Sequence, residues 1–121
     1  MYDQGDIVLL PFPYSDLTGS KQRPALIISN EKFNKTNDRI CCLITRNSYL
    51  GDAEIKEIHY TERKLPFKSF IRTYRIFTVD KSVIKRKLCK ISLNLYEVKK
   101  LLLYQVKRAG MPLRLLSKSS K

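Results

Sequence analysis

Acidic residues are scarce where basic ones are plentiful. Residues 81–121 carry 12 Lys/Arg and one carboxylate, Glu97, a balance of +11, whereas residues 1–80 carry 12 Lys/Arg and 10 Asp/Glu, a balance of +2. Most of the net charge of +13 therefore sits in the last third of the chain. A block of this kind points to a polyanionic partner, nucleic acid or acidic protein, with a solvated basic tail as the plainer alternative. Histidine occurs once, at His59, and the three cysteines (Cys41, Cys42, Cys89) show no Cys-x-x-Cys spacing. Asp3, Asp6 and Asp16 are scattered, so no Mg²⁺ or Zn²⁺ site and no cofactor is expected. Cys41 and Cys42 are strand neighbours that point to opposite faces, so both cannot easily ligate one ion, and the cysteines read as buried or half-buried thiols in a reducing compartment. There is no glycine-rich phosphate loop, no nucleophile elbow and no carboxylate pair suited to glycoside chemistry. No apolar run nears the ~20 residues of a membrane helix. The N-terminus lacks the zones of a secretory signal, so a cytoplasmic location is expected.

What is present is a chain of 121 residues, 43% apolar, enough for one core. One domain is expected over 1–110, followed by a flexible basic tail over 111–121. Short apolar runs predict strands at Ile7–Phe12, Ala25–Ser29, Ile40–Thr45 and Leu88–Ile91, with a weak edge strand at Glu54–Tyr60. Glu31–Asp38 reads as a loop with at most one helical turn. Ser69–Val79 predicts a long strand with Ile71, Thr73, Phe77 and Val79 on one face, and Phe70, Arg72 and Tyr74 on the other. Arg75 interrupts it and marks a bulge or bend. Asn94 with Glu97 three residues on has the form of a capping box, opening an amphipathic helix through Leu95, Val98, Leu102 and Val106 that Gly110 and Pro112 stop. Several short strands and one C-terminal helix predict a mainly β fold: a small, strongly bent sheet or barrel. Strands apolar on both faces call for a second covering surface, which a homodimer would supply.

The most informative stretch is Gly5–Asn30. Two apolar strands flank a polar loop, and Arg23 stands where the loop enters the second strand. A fixed guanidinium at a loop mouth suits an oxyanion. The order Gly5-Asp6-Ile7, Arg23-Pro24-Ala25-Leu26-Ile27-Ile28, Leu43-Ile44-Thr45, Ser69-Phe70-Ile71 and Phe77-Thr78-Val79-Asp80-Lys81 resembles the PemK/MazF toxin family over about residues 5–106.

That resemblance implies an SH3-like barrel of the CcdB/MazF type with a C-terminal α-helix, acting as a homodimer. It implies the toxin of a type II toxin–antitoxin pair, with a cognate antitoxin protein as partner and no membrane role. Its activity would be metal-independent, sequence-specific cleavage of single-stranded RNA, in which the 2′-hydroxyl attacks the adjacent phosphate to leave a 2′,3′-cyclic phosphate and a 5′-hydroxyl. The family's functional arginine and strand-three hydroxyl map onto Arg23 and Thr45. Arginine stays cationic in the working pH range, so charge stabilisation is its expected task, with the general base left open between another group, a water and none. Tyr14, Ser15, Ser20, Lys21, Gln22, Arg46 and Asn47 flank these two as candidate RNA contacts; ordinary turn and solvation roles are the alternative for each. His59 is expected to be structural or solvent-facing. Arg72 and Arg75 are either groove residues or members of surface salt bridges. Two competing functions share the barrel: a toxin directed at a protein such as DNA gyrase, as in the CcdB group, and a non-catalytic nucleic-acid-binding barrel.

Overall fold

The computed structural model describes residues 2–12, 21–49 and 51–92. The helix expected from Asn94, the tail 111–121 and the loop residues Tyr14, Ser15 and Ser20 lie outside the described residues. Six strands form one antiparallel sheet: β1 (Asp6–Phe12), β2 (Lys21–Ile27), β3 (Asp38–Thr45), β4 (Ala53–Ile55), β5 (Ser69–Asp80) and β6 (Arg86–Lys90). Their order across the sheet is β4-β5-β3-β2-β1-β6. The two edges meet. Tyr60, beyond β4, bridges to Ile91, beyond β6. Thr61 N donates to Lys90 O at 3.0 Å and Ser92 N to His59 O at 2.7 Å. The sheet thus curls toward closure, which removes most of its exposed edge.

Gly5 makes this closure possible. Its φ is +93°, and a Cβ there would stand 2.7 Å from Ile91 O. Only glycine accepts both the angle and the approach. Gly5 N donates to Ile27 O and Gly5 O accepts from Ile91 N, both at 2.9 Å. Next to it, the buried Asp6 carboxylate accepts from Asp3 N at 2.8 Å and pairs with Lys90 at 3.2 Å and Lys87 at 3.5 Å. The Gly5-Asp6-Ile7 motif is therefore a seam of the barrel.

Strand alternation sorts the apolar residues onto two buried faces. Ile7, Leu26, Cys42, Ile44, Ile55, Leu65, Ile71, Cys89 and Ile91 form one cluster. Val8, Leu10, Phe12, Ala25, Ile27, Cys41, Leu43 and Ile84 form the other. Each fully buried Ile or Leu contributes about 1.5–3 kcal/mol relative to exposure. Cys41 and Cys42 fall in different clusters, as pleating requires, and all three cysteines are free and buried.

Three sequence expectations change. β2 starts at Lys21 rather than Ala25, because pairing with β1 runs from Phe12–Lys21 to Ile7–Leu26 and carries the polar entry residues into the ladder. The weak strand at Glu54–Tyr60 is only Ala53–Ile55; a 3-10 turn at Glu57–His59 follows. In β5 the register jumps from Leu43–Arg72 to Cys42–Ile76, inserting Thr73, Tyr74 and Arg75. An odd insertion reverses the face on which each parity lies. Ile71 accordingly packs in the first cluster while Phe77 and Val79 pack on the second, so the expected single face of odd-numbered residues is two faces joined at the bulge near Arg75.

Candidate active site

A cleft of about 460 Å³ opens at the end of β2 and β3, lined by Lys21, Gln22, Arg23, Pro24, Ile44, Thr45, Arg46, Asn47, Phe67 and Ser69. Pairing between these strands runs from Ile27–Cys41 to Ala25–Leu43 and stops. Two residues on, the same register sets Arg23 opposite Thr45. Each is nonetheless held by its other neighbour: Arg23 pairs with Leu10 of β1, and Thr45 with Phe70 of β5. The two side chains are thus mounted on rigid strands across an open gap in the ladder, a placement that keeps functional groups in register.

Arg23 is half-buried, and its Nε is buried with no hydrogen-bond partner among the described residues. A buried donor without a partner costs free energy until one is supplied. Lys21, Arg23 and Arg46 all line the cleft, and among the described residues none of them forms an ion pair and no carboxylate or histidine joins them there. The Thr45 hydroxyl accepts from Asn47 N at 3.2 Å and makes only a long 3.4 Å contact to Asn47 O. Its proton is therefore weakly committed within the protein.

The turn that supplies Arg46 and Asn47 is clasped from behind. The Arg72 guanidinium pairs with the buried Asp52 carboxylate, Nη2 to Oδ2 at 3.1 Å. Its Nε lies 3.4 Å from Oδ1 and 3.3 Å from Oδ2, and Nη2 also donates to Asn47 O at 2.6 Å. Its charge lies 4.5 Å from the centre of the Tyr49 ring. Asp52 in turn accepts from Tyr49 N at 2.9 Å. This is a buried pair, not the surface salt bridge that one sequence reading allowed, and Arg72 does not line the cleft. Arg75 lies exposed in the bulge.

Of the proposed site residues, the cleft unites Arg23, Thr45, Lys21, Gln22, Arg46 and Asn47. His59 is elsewhere: its Nδ1 accepts from Lys56 N at 2.9 Å and closes the 3-10 turn. Sequence reasoning missed Phe67 and, as a site member, Ser69. Phe67 stands 45% exposed at the rim, with the Arg46 guanidinium 4.5 Å from its ring centre. The available signal was an aromatic placed directly after Leu65-Pro66, outside any apolar alternation and so not needed by the core. The cysteines take no part. Burial pushes the Cys41 and Cys42 thiols up to about 12, Arg39 offsetting little of it for Cys41.

The class defined so far is a small, curled antiparallel β barrel with a cleft that, among the described residues, presents Lys21, Arg23 and Arg46 and no carboxylate. A profile of the PemK-like, MazF-like toxins of type II toxin-antitoxin systems matches residues 3–104, and the chain belongs to that family. A search of curated protein sequences found no significant match. Among solved structures, a mycobacterial endoribonuclease in complex with its cognate antitoxin aligns with a TM-score of 0.65 at 17% identity, over 93% of this chain and 98% of that one. MazF from Deinococcus radiodurans aligns with a TM-score of 0.65 at 22% identity, over 91% and 97%. The Mycobacterium tuberculosis toxin MazF-mt6 gives 0.61 at 14% identity, over 88% and 98%. Such distant matches establish the shared fold.

Proposed function

We propose that this toxin is an endoribonuclease that cuts single-stranded RNA in the Arg23–Thr45 cleft without a metal ion. The observation that carries this reading is a cleft that brings Arg23, whose buried Nε has no partner among the described residues, together with Thr45, Lys21 and Arg46 and, among the described lining residues, with no carboxylate. A phosphodiester there would meet a guanidinium fork matched to its non-bridging oxygens. The 2′-hydroxyl attacks the adjacent phosphorus, and the bond from phosphorus to O2′ forms as the bond to O5′ breaks. Negative charge grows on the non-bridging oxygens, where Arg23 and the Thr45 hydroxyl stabilise it. Preorganised donors of this kind supply several kcal/mol of the barrier reduction. Solvent carries the 2′-hydroxyl proton away and supplies one to the departing 5′-oxygen, while Arg23 stays cationic throughout. Lys21, Gln22, Arg46 and Asn47, which line the cleft, hold the flanking backbone and bases; Tyr14, Ser15 and Ser20 are proposed as further RNA contacts from the sequence alone.

The reading carries with it a cytoplasmic homodimer neutralised by a cognate antitoxin, in keeping with family membership. The test is a long RNA incubated with purified protein in excess EDTA. Discrete cuts with 2′,3′-cyclic phosphate and 5′-hydroxyl ends are expected, and a 2′-deoxy substitution at a mapped site should abolish that cut. Absence of cleavage, or 5′-phosphate products, would overturn the proposal.

A further inference from the structure

A second groove, about 260 Å³, lies beside the cleft and shares one wall with it. Ile55, Leu65, Pro66 and Phe67 make its apolar surface, and Glu57 and Lys64 stand at its rim. Phe67 lines both hollows. Resting on the RNA-cleavage reading above, we propose that this groove receives one unstacked nucleobase next to the scissile phosphate, with Phe67 as its stacking wall, so that it acts as a specificity subsite.

Three observations converge. First, Phe67 is a large apolar side chain left 45% exposed, outside both core clusters. Its backbone is nevertheless held: Pro66 precedes it, and Ser69 Oγ donates to Phe67 O at 2.9 Å. A fixed, exposed ring suits stacking because little freedom is lost when a base arrives. Second, the ring is already engaged by Arg46, 4.5 Å from its centre. An arginine on an aromatic ring pairs a planar cation with a stacking platform, the combination that holds single strands through phosphate and base together. Third, the rim offers one acceptor and one donor, the Glu57 carboxylate and the Lys64 ammonium, bound to each other at 2.8 Å. The edge of a splayed base carries both kinds of group and can exchange with that exposed pair. The adjoining Lys21, Arg23 and Arg46 favour an occupant that belongs to a polyanion, which selects a nucleotide over a neutral protein side chain.

The experiment starts from cut sites mapped for the wild-type protein on a long RNA. Short RNAs spanning one site, made uncleavable by a 2′-O-methyl group there, carry 2-aminopurine at each flanking position in turn. Quenching on binding is expected at one flanking position with wild type and Phe67→Tyr, and is lost with Phe67→Ala. On cleavable RNA, Phe67→Ala should raise KM by roughly 5- to 100-fold, the range of one lost base stack, leave kcat within a few-fold, and relax base preference at that same position. Phe67→Leu keeps apolar bulk and folding but should still raise KM. The subsite idea fails if both variants cut the same sites with unchanged KM. It also fails if Phe67→Ala loses only neutralisation by the antitoxin, which would make the groove a protein-binding surface. If the wild type cuts no RNA, the cleavage reading itself fails; if it cuts independently of Phe67, only the subsite does.

Discussion

Two arginines border the end of β3, and they are treated in opposite ways. Arg72, on β5, is almost fully buried and committed: its guanidinium binds the Asp52 carboxylate, the Asn47 carbonyl and the Tyr49 ring. Arg23, on β2, has a buried Nε with no partner among the described residues. The difference is one of destination. A guanidinium spent on groups of its own chain holds structure; one whose buried Nε is unpaired among the described residues is, on the reading proposed above, the one a ligand would complete. Arg72 fixes the turn that carries Arg46 and Asn47, and Arg23 faces the cleft that this turn completes.

The largest effect should come from the committed arginine. Arg72→Ala leaves the Asp52 carboxylate buried without a counter-charge, and breaking a buried pair from one side costs about 3–5 kcal/mol. A drop in thermal midpoint of roughly 10–25 °C is expected by calorimetry, since 1 kcal/mol shifts a domain of between 100 and 150 residues by roughly 3–5 °C. Removing both partners, Arg72→Leu with Asp52→Asn, should recover part of the loss. If Arg72→Ala unfolds at the wild-type temperature, the contrast between the two arginines collapses.

The open arginine should show the reverse pattern. Arg23→Ala should lower cleavage by about 10²–10³, the usual cost of one lost oxyanion donor, while the thermal midpoint stays put or rises. Arg23→Lys keeps charge but not the fork, and should fall between. Comparable stability losses in Arg23→Ala and Arg72→Ala would show that both residues are structural. Thr45→Val is the finer version of the same test. It keeps shape and removes one neutral donor, so a loss of about 3- to 10-fold in kcat is expected, in line with about 0.5–1.5 kcal/mol for a neutral hydrogen bond.

How much of this could be read in advance depends on which interactions decide each feature. β1, β3 and the two-faced core were legible because apolar runs of strand length, followed in sequence by Pro13 and Asn47, can hardly be anything else; Pro11 lies inside β1 and did not end it. That Arg23 and Thr45 stand at the ends of apolar runs was legible in the sequence itself. Their meeting was not, because it depends on the β2–β3 register, a long-range choice made by Ala25–Leu43 and its neighbours. The face switch in β5 was hidden for a similar reason: alternation reports parity, and three inserted residues invert it. The short β4 reflects a tertiary override, in which Tyr60 reaches Ile91 and pulls the chain into a turn instead of extending the strand. Phe67 was missed as a site residue because its one signal, an aromatic after a proline and outside any apolar alternation, gains meaning only once the fold shows what it faces.

Between the two arginines runs a third treatment of charge, which is refusal. Cys41 and Cys42 sit back to back on β3, one in each cluster. Desolvation is the chief cause that pushes both thiols from 9.0 up to about 12, against Arg39 at Cys41 and together with Cys41 at Cys42. The sign of the consequence is definite. Between pH 9 and 12 the folded chain keeps protons that the unfolded chain releases, so stability falls as pH rises above about 9. Chemical denaturation followed from pH 8 to pH 11 should show a declining midpoint, and thiol reagents should modify the native protein slowly throughout that range. Cys41→Ala and Cys42→Ala will each lower stability at pH 8 by opening a small cavity. The informative quantity is the slope: the double variant should lose less stability between pH 8 and pH 11 than wild type does. Tyr60, whose phenol burial also raises, leaves a residual slope of the same sign. An unchanged slope in the double variant would mean that the β3 core opens to water far more readily than its burial indicates.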